Sequence, residues 1–380
     1  MTKDGSVFEN SEVAVVSDSL SSAQFPGASI EDSHQPVSKG PFLRVTVVVP
    51  TLNAAQVLRG CLESVRSQHY PQELIDILIA DGGSDDGTQA IAEDYQVRIL
   101  SNSLRTGEAG KAIGAAEAKG DIIAFIDSDN LLPHADWMDM MTRPFVHPDI
   151  MASEPLYWDI ENRGLSLVDR YCALTGVNDP LCLSLGNYGR YSYLTGDWTG
   201  MKVNATDRDG FLDVKVLPGE LPPTMGANGF LIRRDIYQAL GNRMMLFDID
   251  LIAEAATTLG SFRIARVHTS ITHFYAATWR EYRRKALRRA NDFLYFTSLG
   301  QRQYPWARMG KMTTIRFVVN TLLVVPTLVQ ALRGYRRIPD RAWFFHPAAC
   351  LLTGSAYFEA SLFRVWRGPR LHSRTGWRQR

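Results

Sequence analysis

The sequence predicts a doubly wound α/β domain followed by a basic, apolar tail, and three observations carry that prediction. Short apolar, β-branched runs alternate with segments of helical period between residues 44 and 126, the pattern of a sheet wrapped by helices. Each run ends in a polar cluster, and positive charge is concentrated at the far end of the chain. With 380 residues, 45% hydrophobic and 21% charged, the chain can bury one large core or two modest ones, which excludes a small stapled module and overall disorder.

Taken in order, residues 1–41 are rich in Ser, Asp, Glu, Val and Gln without a basic stretch leading into an apolar one, so they read as a disordered leader and not as a signal peptide. Residues 44–49 (RVTVVV) form a continuous β-branched run ending at Pro50, as in a strand buried on both faces. Residues 54–68 space Ala55, Leu58, Cys61, Leu62 and Val65 for a helix that Tyr70-Pro71 ends. A second strand at 74–80 runs into the turn-forming stretch 81–88 (DGGSDDGT). A short strand at 97–100, a helix at 108–119 and a strand at 121–126 complete the alternation. In such a sheet ligands bind beyond the carboxyl ends of the strands, so the loops 50–53, 81–88 and 127–130 should converge on one rim.

From 150 to 225 the pattern loosens and aromatic residues accumulate, including Tyr157, Trp158, Tyr171, Tyr191, Tyr193 and Trp198. This stretch reads either as an acceptor or lid insert or as an extra packing subdomain. Regular structure is expected again at 229–233, 235–240 and 248–258, and in an arginine-rich helix at 279–296. The domain should close near residue 297, leaving 298–380 as the tail.

Two apolar stretches in that tail, 315–332 and 342–363, are each long enough to cross a bilayer. Arg316, Asn320, Pro326 and Gln330 interrupt the first, and His346 and Glu359 the second. A spanning hairpin would put Arg333, Arg336, Arg337 and Arg341 outside, against the positive-inside tendency. Helices in the interface, or entering one leaflet, are therefore favoured over a hairpin or an ordinary soluble tail. Charge agrees: residues 1–40 hold 2 Lys/Arg and 6 Asp/Glu, 41–274 hold 19 and 30, and 275–380 hold 20 and 4. The basic, apolar tail suits an anionic membrane better than nucleic acid. Cys61, Cys172, Cys182 and Cys350 form no CxxC pair and lack histidines at ligand spacing, so a zinc ribbon or disulfide framework is not indicated, and reduced thiols in a cytoplasmic setting fit best.

Three clusters carry chemistry. Asp127-Ser-Asp129 directly follows an apolar strand, where two carboxylates can share a hard divalent ion and leave positions open for diphosphate oxygens; loop-capping aspartates are the plainer alternative. Asp81 can accept hydrogen bonds from a base or ribose while the flanking glycines admit the ligand, or it can serve turn and cap chemistry. Lys111, in a Gly/Ala-rich helix start, can neutralise a phosphate or be solvated.

The series PTLN (50–53), DGGSDDGT (81–88), GKAIGAAEAKGD (110–121) and FIDSDN (125–130) resembles the family 2 glycosyltransferases of the GT-A fold, a Rossmann-like, doubly wound mixed sheet, over roughly residues 44–295. The resemblance implies an inverting transferase that uses a nucleotide-diphospho-sugar, UDP- or GDP-linked, with Mn²⁺ or Mg²⁺. It casts Pro50, Thr51, Asn53, Asp81, Lys111 and Asp127 as nucleotide contacts and Asp127 and Asp129 as the metal motif. His273 matches a histidine that some members place near the metal, although a structural role is the alternative. Gly226 and Asn228, in MGANGF, fall near the donor sugar. FDIDL (247–251) stands where an acidic catalytic motif is usual, with Asp248 as the base and Asp250 the close alternative. Phe247 replaces the usual acid there. The QxxRW pattern of processive synthases is absent, and RRKALRR (283–289) occupies its region, with Arg284 and Arg288 available to a diphosphate or phospholipid.

The expected reaction is a single in-line displacement on a polyprenyl phosphate, lipid-linked sugar or glycan acceptor at the cytoplasmic membrane face. The non-enzymatic alternative is a degenerate nucleotide-binding scaffold or partner subunit. A sugar-phosphate nucleotidyltransferase would need a Gly-rich basic loop where PTLN stands, and a dinucleotide oxidoreductase would need GxGxxG.

Overall fold

The computed structural model of the protein describes residues 42–241, 243–302, 304 and 310–371; the leader expected at 1–41 lies outside them. The first half of the sheet is built from βα units: β1 (Val45–Thr51), α1 (Ala55–Arg66), β2 (Ile75–Asp81), α2 (Thr88–Asp94), β3 (Arg98–Ser101), α3 (Gly107–Ala116) and β4 (Ile122–Phe125). Next come β5 (Asn130–Leu131), α4 (Trp137–Thr142), β6 (Ala152–Trp158), α5 (Leu167–Thr175), α6 (Pro180–Ser184) and the hairpin β7 (Asn204–Arg208) and β8 (Phe211–Val216). The domain closes with β9 (Phe230–Arg233), α7 (Arg234–Ala239), α8 (Asp248–Thr258), β10 (Phe262–His273) and α9 (Trp279–Ser298). Three further helices follow: α10 (Lys311–Leu323), α11 (Val325–Arg337) and α12 (His346–Arg367).

The strands run in the order β3-β2-β1-β4-β9-β6-β10-β8-β7, with β5 paired to β10. β3, β2, β1 and β4 are parallel, β9 is antiparallel to both β4 and β6, and β6 is parallel to β10. The sheet is therefore mixed. Residues 150–225 contribute β6 to its middle and β7–β8 to one edge, so this segment is sheet as much as cover.

Both faces are buried. Val45, Val47 and Val49 of β1 point to a core shared with Leu58, Leu62, Trp137 and Tyr171, while Val48 points to the opposite core of Ala112, Ala115, Phe125, Phe230 and Leu251, as the two-residue period of a strand requires. At one position the packing demands the smallest side chain: a Cβ on Gly114 would lie 2.2 Å from Val48 Cγ1, so α3 rests directly on β1.

The tail differs from the two continuous apolar segments expected. The first breaks at Val324, whose φ is +61°, into α10 and α11, bent by 90°. Among the described residues no single helix is long and apolar enough to cross a membrane. Arg170 pairs with Asp340, and buried His346 receives the Tyr171 hydroxyl on Nδ1 at 2.8 Å and meets Gln330 Oε1 through Nε2 at 2.7 Å. These contacts clasp α11 and α12 to α5.

Candidate active site

The three rim loops converge as the strand order requires. Thr51 ends β1 beside Asp81, the last residue of β2, and its Oγ1 donates to Asp81 Oδ1 at 2.8 Å. Asp81 also accepts from the amides of Gly83 and Ser84, from Ser84 Oγ and from Gln89 Nε2. Burial alone would raise its carboxyl, but these hydrogen bonds outweigh burial and hold it below the ordinary carboxylate range. Asn53, at φ +51°, braces the same turn, its Oδ1 accepting from the Asp85 amide at 2.9 Å. Pro50 lies in register with Ala80 of β2.

Lys111 joins this rim to the far half of the molecule. Its Nζ lies 3.1 Å from both oxygens of Asp248 and 3.5 Å from Asp127 Oδ1. The Leu246 amide donates to Glu108 O at 3.0 Å, which ties the start of α8 to the first turn of α3 and sets that approach. Burial opposes the lysine charge, but Asp127 and Asp248 overcome it and hold the ammonium above its ordinary range. Burial pushes the Asp248 carboxyl up to about 7, against the pull of Lys111, although 26% of the side chain reaches solvent.

The second carboxylate of the DSD motif is reached from β10. His273 pairs with Asn130 in the β5–β10 ladder, and the Phe274 amide donates to Asp129 O at 2.9 Å. This brings His273 Nε2 to 3.7 Å from Asp129 Oδ1. Lys285 Nζ stands 3.6 Å from Asp129 Oδ2 and also donates to Tyr275 O. Burial pushes the Asp129 carboxyl up, with Lys285 and Arg288 pulling the other way. Burial and Lys285 push the His273 imidazole down to about 4, so it is neutral near pH 7, and its buried Nδ1 has no hydrogen-bond partner among the described residues. A neutral imidazole beside a carboxylate is a donor set suited to Mn²⁺ or Mg²⁺ with few protein ligands. Among the described residues no group of three or more His, Cys, Asp or Glu side chains is gathered for a metal: Asp129 and His273 stand together, while Asp127 faces Lys111.

Two expected site residues are placed elsewhere. Asp250 lies two residues beyond Asp248, so the helical period turns it to another side of α8, where Arg302 Nε donates to it at 2.7 Å and the Tyr304 amide at 3.3 Å. Arg284, 39% exposed, lies 3.7 Å from Glu281 on its own helix, and its neighbour Lys285 takes the position facing Asp129. Gly226 and Asn228 do reach the site. A Cβ on Gly226 (φ +100°) would stand 2.8 Å from Asp248 O, and Asn228 Oδ1 accepts from Asn130 Nδ2 at 3.2 Å, whose Oδ1 accepts in turn from the Asp127 amide.

Sequence reasoning missed what holds that loop. Arg190, fully enclosed, donates to Ala227 O at 2.6 Å, Asn228 O at 2.8 Å and Glu154 Oε1 at 2.8 Å, and also to Pro155 O. Glu154 Oε2 accepts from the Gly226 amide at 3.2 Å and pairs with buried Arg266. The arginine hub thus fixes the Gly226–Asn228 backbone over Asp248 and, through Asn130, the DSD turn.

Curated proteins match about a quarter of the chain. Glycosyltransferase AglE of Haloferax volcanii is 35% identical over 101 residues, 25% of this chain and 33% of that protein. Putative glycosyltransferase EpsH of Bacillus subtilis is 33% identical over 104 residues, 26% of this chain and 29% of that protein. The matched segment thus spans about a third of the length of these relatives. Among solved structures, a mannosyltransferase from Pyrobaculum calidifontis in complex with GDP-Man and Mn²⁺ aligns at 14% identity and a TM-score of 0.48, covering 84% of this chain and 88% of that one. The sequence pattern described as Glycosyl transferase family 2 matches residues 46–179, from β1 through β6 to α5, so about a third of the chain carries the pattern of that glycosyltransferase family.

Proposed function

We propose that the protein is an inverting glycosyltransferase that moves a sugar from a UDP- or GDP-linked donor to a polyprenyl phosphate, lipid-linked sugar or glycan at the cytoplasmic membrane face. The observation that carries this reading is the approach of Asp248, Lys111 and Asp127 at one end of the sheet, adjoining the Asp81 loop. Asp81, Thr51 and Asn53 are buried and would serve the nucleoside end by fixing the 81–88 turn against β1. Lys111, Lys285 and Arg288 supply fixed positive charge where a departing diphosphate gains negative charge. Asp129 and His273 would hold the divalent ion, which when bound neutralises the diphosphate, with Asp127 at Lys111 beside them. Asp248, with a carboxyl near neutrality, suits removal of a proton from a sugar hydroxyl.

The test is titration of UDP, GDP and CDP, each with and without Mn²⁺, into the full chain and its Asp129→Asn variant, followed by turnover with both acceptor classes. One nucleotide should bind in a manner that needs both Mn²⁺ and Asp129. Asp248→Asn should abolish transfer to a hydroxyl yet spare transfer to a polyprenyl phosphate, whose oxygen is already ionised. Nucleotide binding without any turnover would instead favour the scaffold role, for which Phe247 at the usual acid's place is the specific support.

A further inference from the structure

The helices after the domain are built inside out. In α10 and α11 the buried positions are Phe317, Thr321, Thr327, Ala331 and Gly334, mostly small or polar. The outward positions carry Leu322 at 72% exposure, Leu323 at 61% and Val325 at 64%. α12 repeats this: it buries Ala349, Thr353, Ala356 and Ala360 and turns out Phe358 at 71% and Trp366 at 79%. A helix on a water-soluble domain does the reverse, turning its large apolar side chains inward, and contiguous apolar surface of this kind marks an interaction face.

Length and charge identify the occupant. α10 and α11 have thirteen residues each, so each is about 20 Å long at 1.5 Å per residue, short of the roughly 30 Å hydrocarbon core; together they are long and apolar enough to cross, but the chain turns by 90° between them, so they form no straight span. Residues 310–371 hold nine Lys/Arg and two Asp/Glu, and both acids are taken, Asp340 by Arg170 and Glu359 by Arg283. The surplus positive charge complements anionic headgroups, whereas a second copy of the same basic face would repel it.

We propose that α10, α11 and α12 form a platform that sinks into the headgroup and upper acyl region of one leaflet of an anionic bilayer without crossing it. Leu322, Leu323, Val325 and Phe358 enter the acyl region, while Arg333 and Arg336 remain at headgroup level. The inference deepens the membrane placement in the proposed function by fixing its depth and mode.

The test is flotation of the full chain with phosphatidylcholine vesicles, with and without phosphatidylglycerol. The protein should float with the anionic vesicles, and Leu322→Glu combined with Val325→Glu should lower partitioning at least tenfold with the melting temperature unchanged, since both positions are exposed. Arg333→Gln with Arg336→Gln should lower it severalfold on anionic vesicles and little on neutral ones. A fluorophore on Leu322→Cys should be quenched most by lipids brominated near the headgroup. Unchanged flotation of the double glutamate variant, strongest quenching at the bilayer centre, or a lipid-free dimer by light scattering would each overturn the platform. Nucleotide titration in the same samples separates the two readings: binding without flotation defeats the platform alone, and flotation without nucleotide binding defeats the transferase reading alone.

Discussion

In the parallel half of the sheet, the buried carboxylate of Asp81 is satisfied by Gly83, Ser84 and Gln89, all within eight residues, and by Thr51 on the adjoining strand. In the mixed half, the buried carboxylate of Glu154 depends on Arg190 and Arg266, 36 and 112 residues away. The first arrangement divides its load over several neutral donors supplied mostly by one turn. The second concentrates it in guanidinium groups that must arrive from distant segments, so losing one partner strands a charge without water. The nucleotide-side turn is thus locally determined, whereas the loop over Asp248 exists only once the whole sheet is assembled.

This contrast can be broken or sharpened by substitution, and the largest effect belongs to the hub. Arg190→Met should lower the free energy of unfolding by about 3–5 kcal/mol, because Glu154 Oε1 and the carbonyls of Pro155, Ala227 and Asn228 lose their buried cationic donor; a loss below 1 kcal/mol in urea denaturation would remove the distinction. The clasp of the tail is a second long-range device, with a pH signature. Burial depresses the His346 imidazole from 6.5 to about 4, so the unfolded chain takes up the proton first. Its contribution is complete above pH 6.5 and lost as pH falls toward 4, about 3 kcal/mol at 1.36 kcal/mol per unit. In His346→Gln that part of the acid slope should vanish from melts recorded across the window. Within the parallel half the effects should be smaller. Gly114→Ala forces a methyl against Val48 and should cost about 1–3 kcal/mol, read as a lower urea midpoint. Thr51→Val removes one of several donors to Asp81 and should cost about 1 kcal/mol, with nucleotide titration showing only a modest loss.

The same contrast governs how much could be read in the sequence. The β1–β4 half was legible because each strand is an apolar run whose pattern is complete in a short window; ends moved by a residue or two, as at β2, expected at 74–80 and found at Ile75–Asp81. Asp81, Asp127 and Asp129 were legible because a polar cluster after an apolar strand has one rim to occupy. β6 was hidden because Glu154 and Pro155 interrupt its apolar pattern. Arg190 and Glu154 look like any charged residues until the fold encloses them. Choosing Lys285 over Arg284 in RRKALRR required the rotation of α9, which composition does not contain, and the break at Val324 is signalled only by Pro326 in the first turn of α11.

One helix links the chemistry to the tail. α9 sends Lys285 toward Asp129 on one side and, on another, meets α12 through Tyr282 with Thr353 and Arg283 with Glu359. Packed helices stand about 8–10 Å apart, and the clasped α12 leaves little freedom to vary that spacing. The site therefore works at a fixed altitude above the outer surface of α12. On the proposed membrane seating, an acceptor tethered at that surface would be sorted by the length of its own spacer: too short and its oxygen would never reach the rim, too long and its encounter frequency would fall. Graded tethers on one acceptor should then show an optimum.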